Sequence, residues 1–235
     1  MTEVRGPLAV AHRGYSAAFP ENTPEGARAA LGAGADFVEM DVRLGRDGVA
    51  VASHDPDLLR LAGNVAVIAE TDWGDLSRIP LIDGRRLSPI REILDALPPT
   101  ANVLFDVKIG GRGVIEAALG CWEARKRSGF LIVGVRETAQ IAWLGDYPAL
   151  ALIPALEDAA AFLSAGARAI RVWESDIERP ESRALIEGGV EIWVTAGRTR
   201  PGETAGDITR FRFRRLRELG VAAVLLNDPT LAKEE

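Results

Sequence analysis

The sequence predicts an α/β fold of the (β/α)8 barrel type, and three observations carry that expectation. Eight short apolar runs recur along the 235 residues, at 8–12, 36–42, 102–107, 130–135, 149–153, 167–173, 190–195 and 221–226. Most gaps between them hold helical patterns, and the runs are apolar on both faces, as expected of parallel strands packed between a barrel interior and covering helices. A histidine in the first run and charged residues in the next two interrupt them toward their C-terminal ends, where such a barrel gathers its functional groups. An open doubly wound sheet would place a glycine-rich nucleotide loop after its first strand, and His12-Arg13-Gly14 is no such loop.

The first run, Leu8-Ala9-Val10-Ala11, ends in His12-Arg13-Gly14. A helix is expected from Thr23-Pro24-Glu25, with Thr23 as the cap and Pro24 at the first helical position. The second run carries Glu39 and Asp41, spaced i and i+2 and therefore on one face of the strand. Asp47-Gly48 between apolar residues predicts a two-residue hairpin, a β-hairpin extension after the second strand that sets Arg46 against Val49 and Asp41 opposite His54. Ser88-Pro89 is expected to open a helix through Leu97. The third barrel run, Val103-Leu104-Phe105-Asp106-Val107-Lys108, again places an acid and a base on one face.

The chain has two histidines, and each follows a hydrophobic run: His12 after Leu8–Ala11, and His54 after Val49-Ala50-Val51-Ala52-Ser53. Histidine exchanges protons near neutrality, which points to acid–base chemistry. Charges on a buried strand are costly unless paired or bound to an ion. Asp106 and Lys108 could simply form a salt bridge at a strand end; together, Glu39, Asp41 and Asp106 point instead to a hard-cation site.

The composition, 47% hydrophobic and 26% charged, suits one enzyme-sized domain spanning residues 1–235. A net charge of −6 gives no electrostatic support for a nucleic-acid partner. Cys121, the single cysteine, lies in a helical stretch and reads as a core residue. The first run begins near Leu8 and no apolar run has the length of a membrane span, so a cytoplasmic protein without stable membrane insertion is expected.

Seven segments resemble the glycerophosphodiester phosphodiesterase family: His12-Arg13-Gly14, Glu21-Asn22-Thr23, Glu39-Met40-Asp41, His54-Asp55-Pro56, Asp106-Val107-Lys108, Trp193-Val194-Thr195 and Asn227-Asp228-Pro229. The resemblance is dense through residue 108 and thinner beyond. It implies a (β/α)8 barrel, a divalent cation (Mg²⁺ or Ca²⁺, with Mn²⁺ also possible), and hydrolysis of a small-molecule glycerophosphodiester to glycerol 3-phosphate and an alcohol. By the same resemblance, His12 and His54 are the acid–base pair and Glu39, Asp41 and Asp106 the metal ligands. Arg13 and Lys108 hold phosphate oxygens, and Trp193 contacts substrate. A cation with Arg13 and Lys108 would neutralise the diester and the charge growing on its oxygens.

The chain departs from the family pattern in places. The family usually has Glu where Asp106 stands, whereas the related sphingomyelinase D group has Asp there; phospholipid headgroup cleavage giving a cyclic phosphate is therefore the alternative reaction. Segment 57–86 is short beside the family pattern, and Val135-Arg136-Glu137 lacks the Ser-Phe of many relatives. Trp173 and Trp193 are candidates for the mouth, with Trp193 favoured and packing the expected role of Trp173. Arg198 and Arg200 lie in a loop beside Pro201-Gly202, where either could meet an anion. Residues 210–217 carry five arginines between Phe211, Phe213 and Leu216, which reads as an outer helix with a solvated basic face. A phosphoester-binding barrel without turnover is the non-enzymatic alternative; the presence of both histidines and all three acids argues against it.

Overall fold

The computed structural model describes residues 6–108 and 111–233. Its strands are β1 (Leu8–Ala11), β2 (Phe37–Leu44), β3 (Ala50–Ala52), β4 (Ser88–Pro89), β5 (Asn102–Val107), β6 (Leu131–Val135), β7 (Ala149–Leu152), β8 (Ala169–Trp173), β9 (Glu191–Thr195) and β10 (Ala223–Leu226). Eight of them run parallel in the order β1-β10-β9-β8-β7-β6-β5-β2, and the pairing of β1 with β2 closes the ring. All eight coincide with the apolar runs read from the sequence. β3 and β4 add antiparallel to the far end of β2 as a small extension.

Alternation along the strands sorts each residue to one of two environments. Val38, Met40, Val103 and Phe105 face the surrounding helices and join the large outer core. Val10, Phe37, Leu104, Ile132, Leu150 and Trp193 fill the barrel's interior. Trp193 is buried there with its ring 5.5 Å from that of Phe37, in an edge-to-face arrangement. Position 134 faces inward by the same alternation, and glycine fits there where a Cβ would come within 2.9 Å of Leu152 Cδ1. Two residues further along these same rows, the interior turns polar: Val10 gives way to His12, Phe37 to Glu39 and Asp41, Leu104 to Asp106. An apolar floor thus supports a polar mouth at the strands' C-terminal ends.

Local signals mostly behave as expected. Helix Pro24–Gly32 has Pro24 at its start and the Thr23 hydroxyl accepting from the Gly26 N–H. The second expected helix starts one residue later than the sequence suggests, as Ile90–Ala96, because Ser88 and Pro89 pair with Ala52 and Val51.

The hairpin register also differs from expectation. Observed pairs are Val42–Ala52, Arg43–Val51 and Leu44–Ala50, so Ser53 rather than His54 is level with Asp41. The Gly48 N–H bonds Gly45 O, the Gly45 N–H bonds Val49 O, and Gly48 has φ +82°. The turn therefore contains three residues, the last a left-handed glycine, and the extra residue slips the register by one. Among the described residues, no helix is long and apolar enough to cross a membrane.

Candidate active site

His12 closes β1, its N–H continuing the ladder to Leu226 O. Its Nδ1 lies 3.0 Å from Asn227 Oδ1. The Asn227 amide nitrogen donates to Ala205 O (3.0 Å) and Asp207 Oδ1 (2.9 Å), which orients Oδ1 as an acceptor toward the ring. Nδ1 therefore carries the hydrogen, and Nε2 is left with a lone pair. Burial, with Arg13 alongside, pushes His12 down to about 4, so the ring is neutral at pH 7.

Glu39 and Asp41 are fully buried on β2, and Asp106 stands beside them on β5, paired in register with Asp41. One oxygen from each lies within 4.8 Å of the others, a set able to hold a hard divalent cation. The chain after β1 wraps these acids. The Arg13 N–H donates to Glu39 Oε2 (2.5 Å), and Asn22 clasps Asp41 twice, through its amide to Oδ2 (2.8 Å) and its oxygen from the Asp41 N–H (3.0 Å). Arg13 and Asn22 both adopt left-handed backbone, φ +59° and +57°, an uncommon state for residues with side chains.

The cluster's charges are nearly balanced. Lys108 Nζ lies 2.6 Å from Asp41 Oδ1 and 2.5 Å from Asp106 Oδ2. Arg13 Nε reaches Asp41 Oδ2 at 3.3 Å, and Arg136 forks onto both oxygens of Asp106, at 2.6 and 3.1 Å. Burial would raise Asp41 and Asp106, yet Lys108 with Arg13 holds the first, and Lys108 with Arg136 the second, below the usual carboxylate range. Glu39 goes the other way: burial, with Asp41 and Asp106 nearby, holds it well above that range. Its Oε1 is buried with no hydrogen-bond partner, an orphaned acceptor at the centre of the cluster.

His54 reaches the mouth from the turn after β3. Arg43 grips its carbonyl with two donors, at 3.1 and 2.7 Å. Its Nδ1 lies 2.8 Å from Asp55 Oδ1, and Asp55 in turn accepts from Arg60 Nε (2.5 Å). Arg60 also holds Glu21 at 2.7 Å, tying segment 57–86 to the loop after β1. The sequence-expected salt bridge between Asp106 and Lys108 is present, within the acid cluster rather than in place of it.

A cavity of about 270 Å³ joins His12, His54, Asp106 and Lys108 to Trp173 and Arg171. Trp193, the favoured mouth aromatic, lies instead in the apolar floor, while Trp173, expected to pack, lines the opening. Trp193 sits mid-strand, level with Arg171 and Ala223, whereas Trp173 ends β8. Arg198 lies over the Trp173 ring at 4.5 Å, and Arg200 is exposed. Helix Arg210–Glu218 is an outer helix as expected, although Arg212 is drawn inward by Glu174 and Glu203 (2.5 and 2.6 Å). Cys121 is half-buried in helix Arg112–Glu123.

Residues 12–127 match the glycerophosphoryl diester phosphodiesterase family. A Mycobacterium tuberculosis protein named probable glycerophosphodiester phosphodiesterase 2 is 30% identical over 130 residues, 55% of this chain and 48% of that protein. A Bacillus subtilis glycerophosphodiester phosphodiesterase is 27% identical over 116 residues, 43% of this chain and 40% of its own. The chain thus spans about half or less of these relatives' length. A solved glycerophosphodiester phosphodiesterase from Thermotoga maritima superposes with a TM-score of 0.79 at 24% identity, over 97% of both chains. An Oleispira antarctica phosphodiesterase, solved with the product sn-glycerol-3-phosphate, gives 0.81 at 16% identity, over 96% of this chain and 94% of that one. These likenesses establish the barrel fold.

Proposed function

We propose, from the match of residues 12–127 to the glycerophosphoryl diester phosphodiesterase family, that this chain, acting as one domain, hydrolyses glycerophosphodiesters to glycerol 3-phosphate and an alcohol. The observation that carries the reading is the neutral His12 ring with its free Nε2, opening on the same cavity as His54 and an acid cluster containing an orphaned buried oxygen.

Glu39, Asp41 and Asp106 would hold one divalent cation, Mg²⁺ or Ca²⁺, since an all-carboxylate set favours hard ions and Mn²⁺ shares their oxygen preference. When bound, such an ion neutralises charge on the phosphoryl oxygens. Arg13 and Lys108 add fixed positive charge beside it, available to the two unesterified oxygens as negative charge grows there. His12 accepts the proton of the attacking hydroxyl at Nε2. Asn227 keeps the opposite nitrogen protonated and steadies the imidazolium that forms. His54, oriented by Asp55 and Arg43, delivers a proton to the departing alkoxide. The attacking hydroxyl is water or the glycerol hydroxyl adjoining the ester; the latter gives a cyclic phosphate that water opens by the same proton transfers in reverse.

The test is a phosphorus NMR time course with glycerophosphocholine, glycerophosphoethanolamine, glycerophosphoglycerol and lysophosphatidylcholine, each with Mg²⁺ or Ca²⁺ and again with chelator. Chelator-sensitive glycerol 3-phosphate from a water-soluble diester is the expected result. Cyclic or lysophosphatidic product from the lipid alone would assign headgroup cleavage of the sphingomyelinase D kind. No turnover of any substrate would leave a phosphoester-binding barrel.

A further inference from the structure

Four cations line the inner wall of the mouth and a fifth stands over its rim, and they differ in whether the protein itself neutralises them. Arg13, Lys108 and Arg136 each contact a carboxylate of the acid cluster. Arg171 and Arg198 have no hydrogen-bond or ion-pair partner for their side chains among the described residues. Both instead lie against the Trp173 ring, at 4.4 and 4.5 Å from its centroid.

Arg171 is the costlier of the two. It projects inward from the middle of β8, level with the floor residues Leu152 and Trp193. Only 8% of it is exposed, and its Nη1 is buried with no partner. An aromatic face offsets part of the desolvation of a guanidinium but does not replace an anion. Arginine stays protonated in such a place rather than neutralising, so the pocket keeps a buried positive charge that no carboxylate among the described residues contacts; Asp106, the acid that acts on it most, is itself paired with Lys108 and Arg136.

Its position separates it from the two acids of β2. In the closed ring β8 lies four strands from β2 in either direction, directly across the barrel from Glu39 and Asp41. The single charge of a diester held on the β2–β5 side would already face a cation, Arg13 and Lys108. Asp106 is the one acid among the described residues lining the same cavity, and Lys108 and Arg136 already pair with it, which leaves none in contact with Arg171 or Arg198.

We infer that Arg171 and Arg198, braced on Trp173, form a second anion subsite, and that the preferred substrate is a glycerophosphodiester carrying a further carboxylate or phosphate away from the scissile phosphorus. This rests on the diesterase reading above and adds the substrate class to it. A guanidinium pair recognises either oxyanion by charge-assisted hydrogen bonds, with Arg171 supplying the donor that is idle in the protein alone.

Steady-state rates on three diesters sharing one glycerophosphoryl group test the proposal. One has glycerol as its alcohol, the second glycerate, and the third glycerol phosphate, so the remote group is neutral, a carboxylate or a phosphate. Wild-type kcat/KM is expected to favour a charged diester by about tenfold or more, because the neutral analogue leaves a buried donor unpaired. Which charged diester gains more assigns the oxyanion. Arg171→Gln and Arg198→Gln are each expected to bring the ratio toward one. Arg198 is exposed in its loop, so Arg198→Gln decides the matter if Arg171→Gln fails to fold. Equal kcat/KM for neutral and charged diesters in the wild type, or a preference untouched by Arg198→Gln and by a folded Arg171→Gln, overturns the subsite and leaves the diesterase reading standing. No turnover of any of the three overturns the subsite, and overturns the diesterase reading with it when glycerophosphocholine is inert as well.

Discussion

Asn227 Oδ1 accepts from His12 Nδ1 at 3.0 Å, across a span of 215 residues that joins the last barrel strand to the first. The contact fixes both the plane of the ring and the nitrogen that bears its proton. Asn227→Ala removes the acceptor and leaves the ring free to turn. It is expected to lower kcat by roughly 10- to 100-fold with little change in KM, since the group lost acts on the base and not on substrate. His12→Ala is expected to lower kcat by roughly 100-fold or more. Steady-state rates on glycerophosphocholine check both; a loss below tenfold for His12→Ala would remove His12 from the base role.

The same ring makes stability depend on pH. His12 titrates near 4 in the fold and near 6.5 when unfolded. The unfolded chain therefore binds the additional proton between those values, and its binding opposes folding as the pH falls through that window. The contribution to stability is full above about pH 6.5 and is lost progressively toward pH 4, by about 2 kcal/mol between pH 7 and pH 5. Urea unfolding of the wild type and His12→Gln at both values measures it. The expected result is a smaller pH 7 to pH 5 loss in the variant; identical losses would mean that His12 is not held neutral by the fold.

Residue chemistry and strand parity make much of this site legible in the sequence. Once 36–42 is taken as a strand, Glu39 and Asp41 must share a face, and the barrel turns that face inward. Parity carries a further signal: Arg136 and Arg171 stand two residues beyond the inward Gly134 and Ala169, so each has to enter the barrel. Height along the barrel axis was not legible, because it depends on how the strands stagger around the ring. Trp173 and Trp193 consequently exchange their expected positions, the first at the mouth and the second in the floor. The hairpin register slipped for a local reason, since Asp47-Gly48 serves two- and three-residue turns alike and only the observed Gly45–Val49 pairing distinguishes them.

Glu39 links the acid cluster to proton release. Without a cation, burial beside Asp41 and Asp106 keeps its proton on above the ordinary carboxylate range. Because this folded pKa is raised, its contribution to stability is full below the unfolded value and is lost as pH rises through the folded one. A bound cation requires the ionised carboxylate, so binding should expel that proton. Mg²⁺ or Ca²⁺ titrations by calorimetry, in buffers of differing ionisation heat, are expected to give different apparent enthalpies below the folded pKa of Glu39. Glu39→Gln should abolish the buffer dependence and weaken the affinity by roughly 10- to 100-fold. A wild-type enthalpy independent of buffer at each pH tested would exclude coupled ionisation of Glu39.

Trp193 and Trp173 should separate stability from function. Trp193 is 3% exposed, packed on Phe37 in the barrel floor, and Trp193→Ala opens a void that neighbouring strands are too constrained to close. The expected cost is about 3 to 5 kcal/mol, read as a lower urea midpoint with an unchanged slope. Trp173 ends its strand at the mouth, where its ring braces Arg171 and Arg198. Trp173→Ala removes less buried surface and should cost less stability, its main effect being a higher KM as two guanidiniums lose their support. Equal destabilisation by the two substitutions, with unchanged KM for Trp173→Ala, would return Trp173 to a packing role and leave the mouth without its aromatic wall.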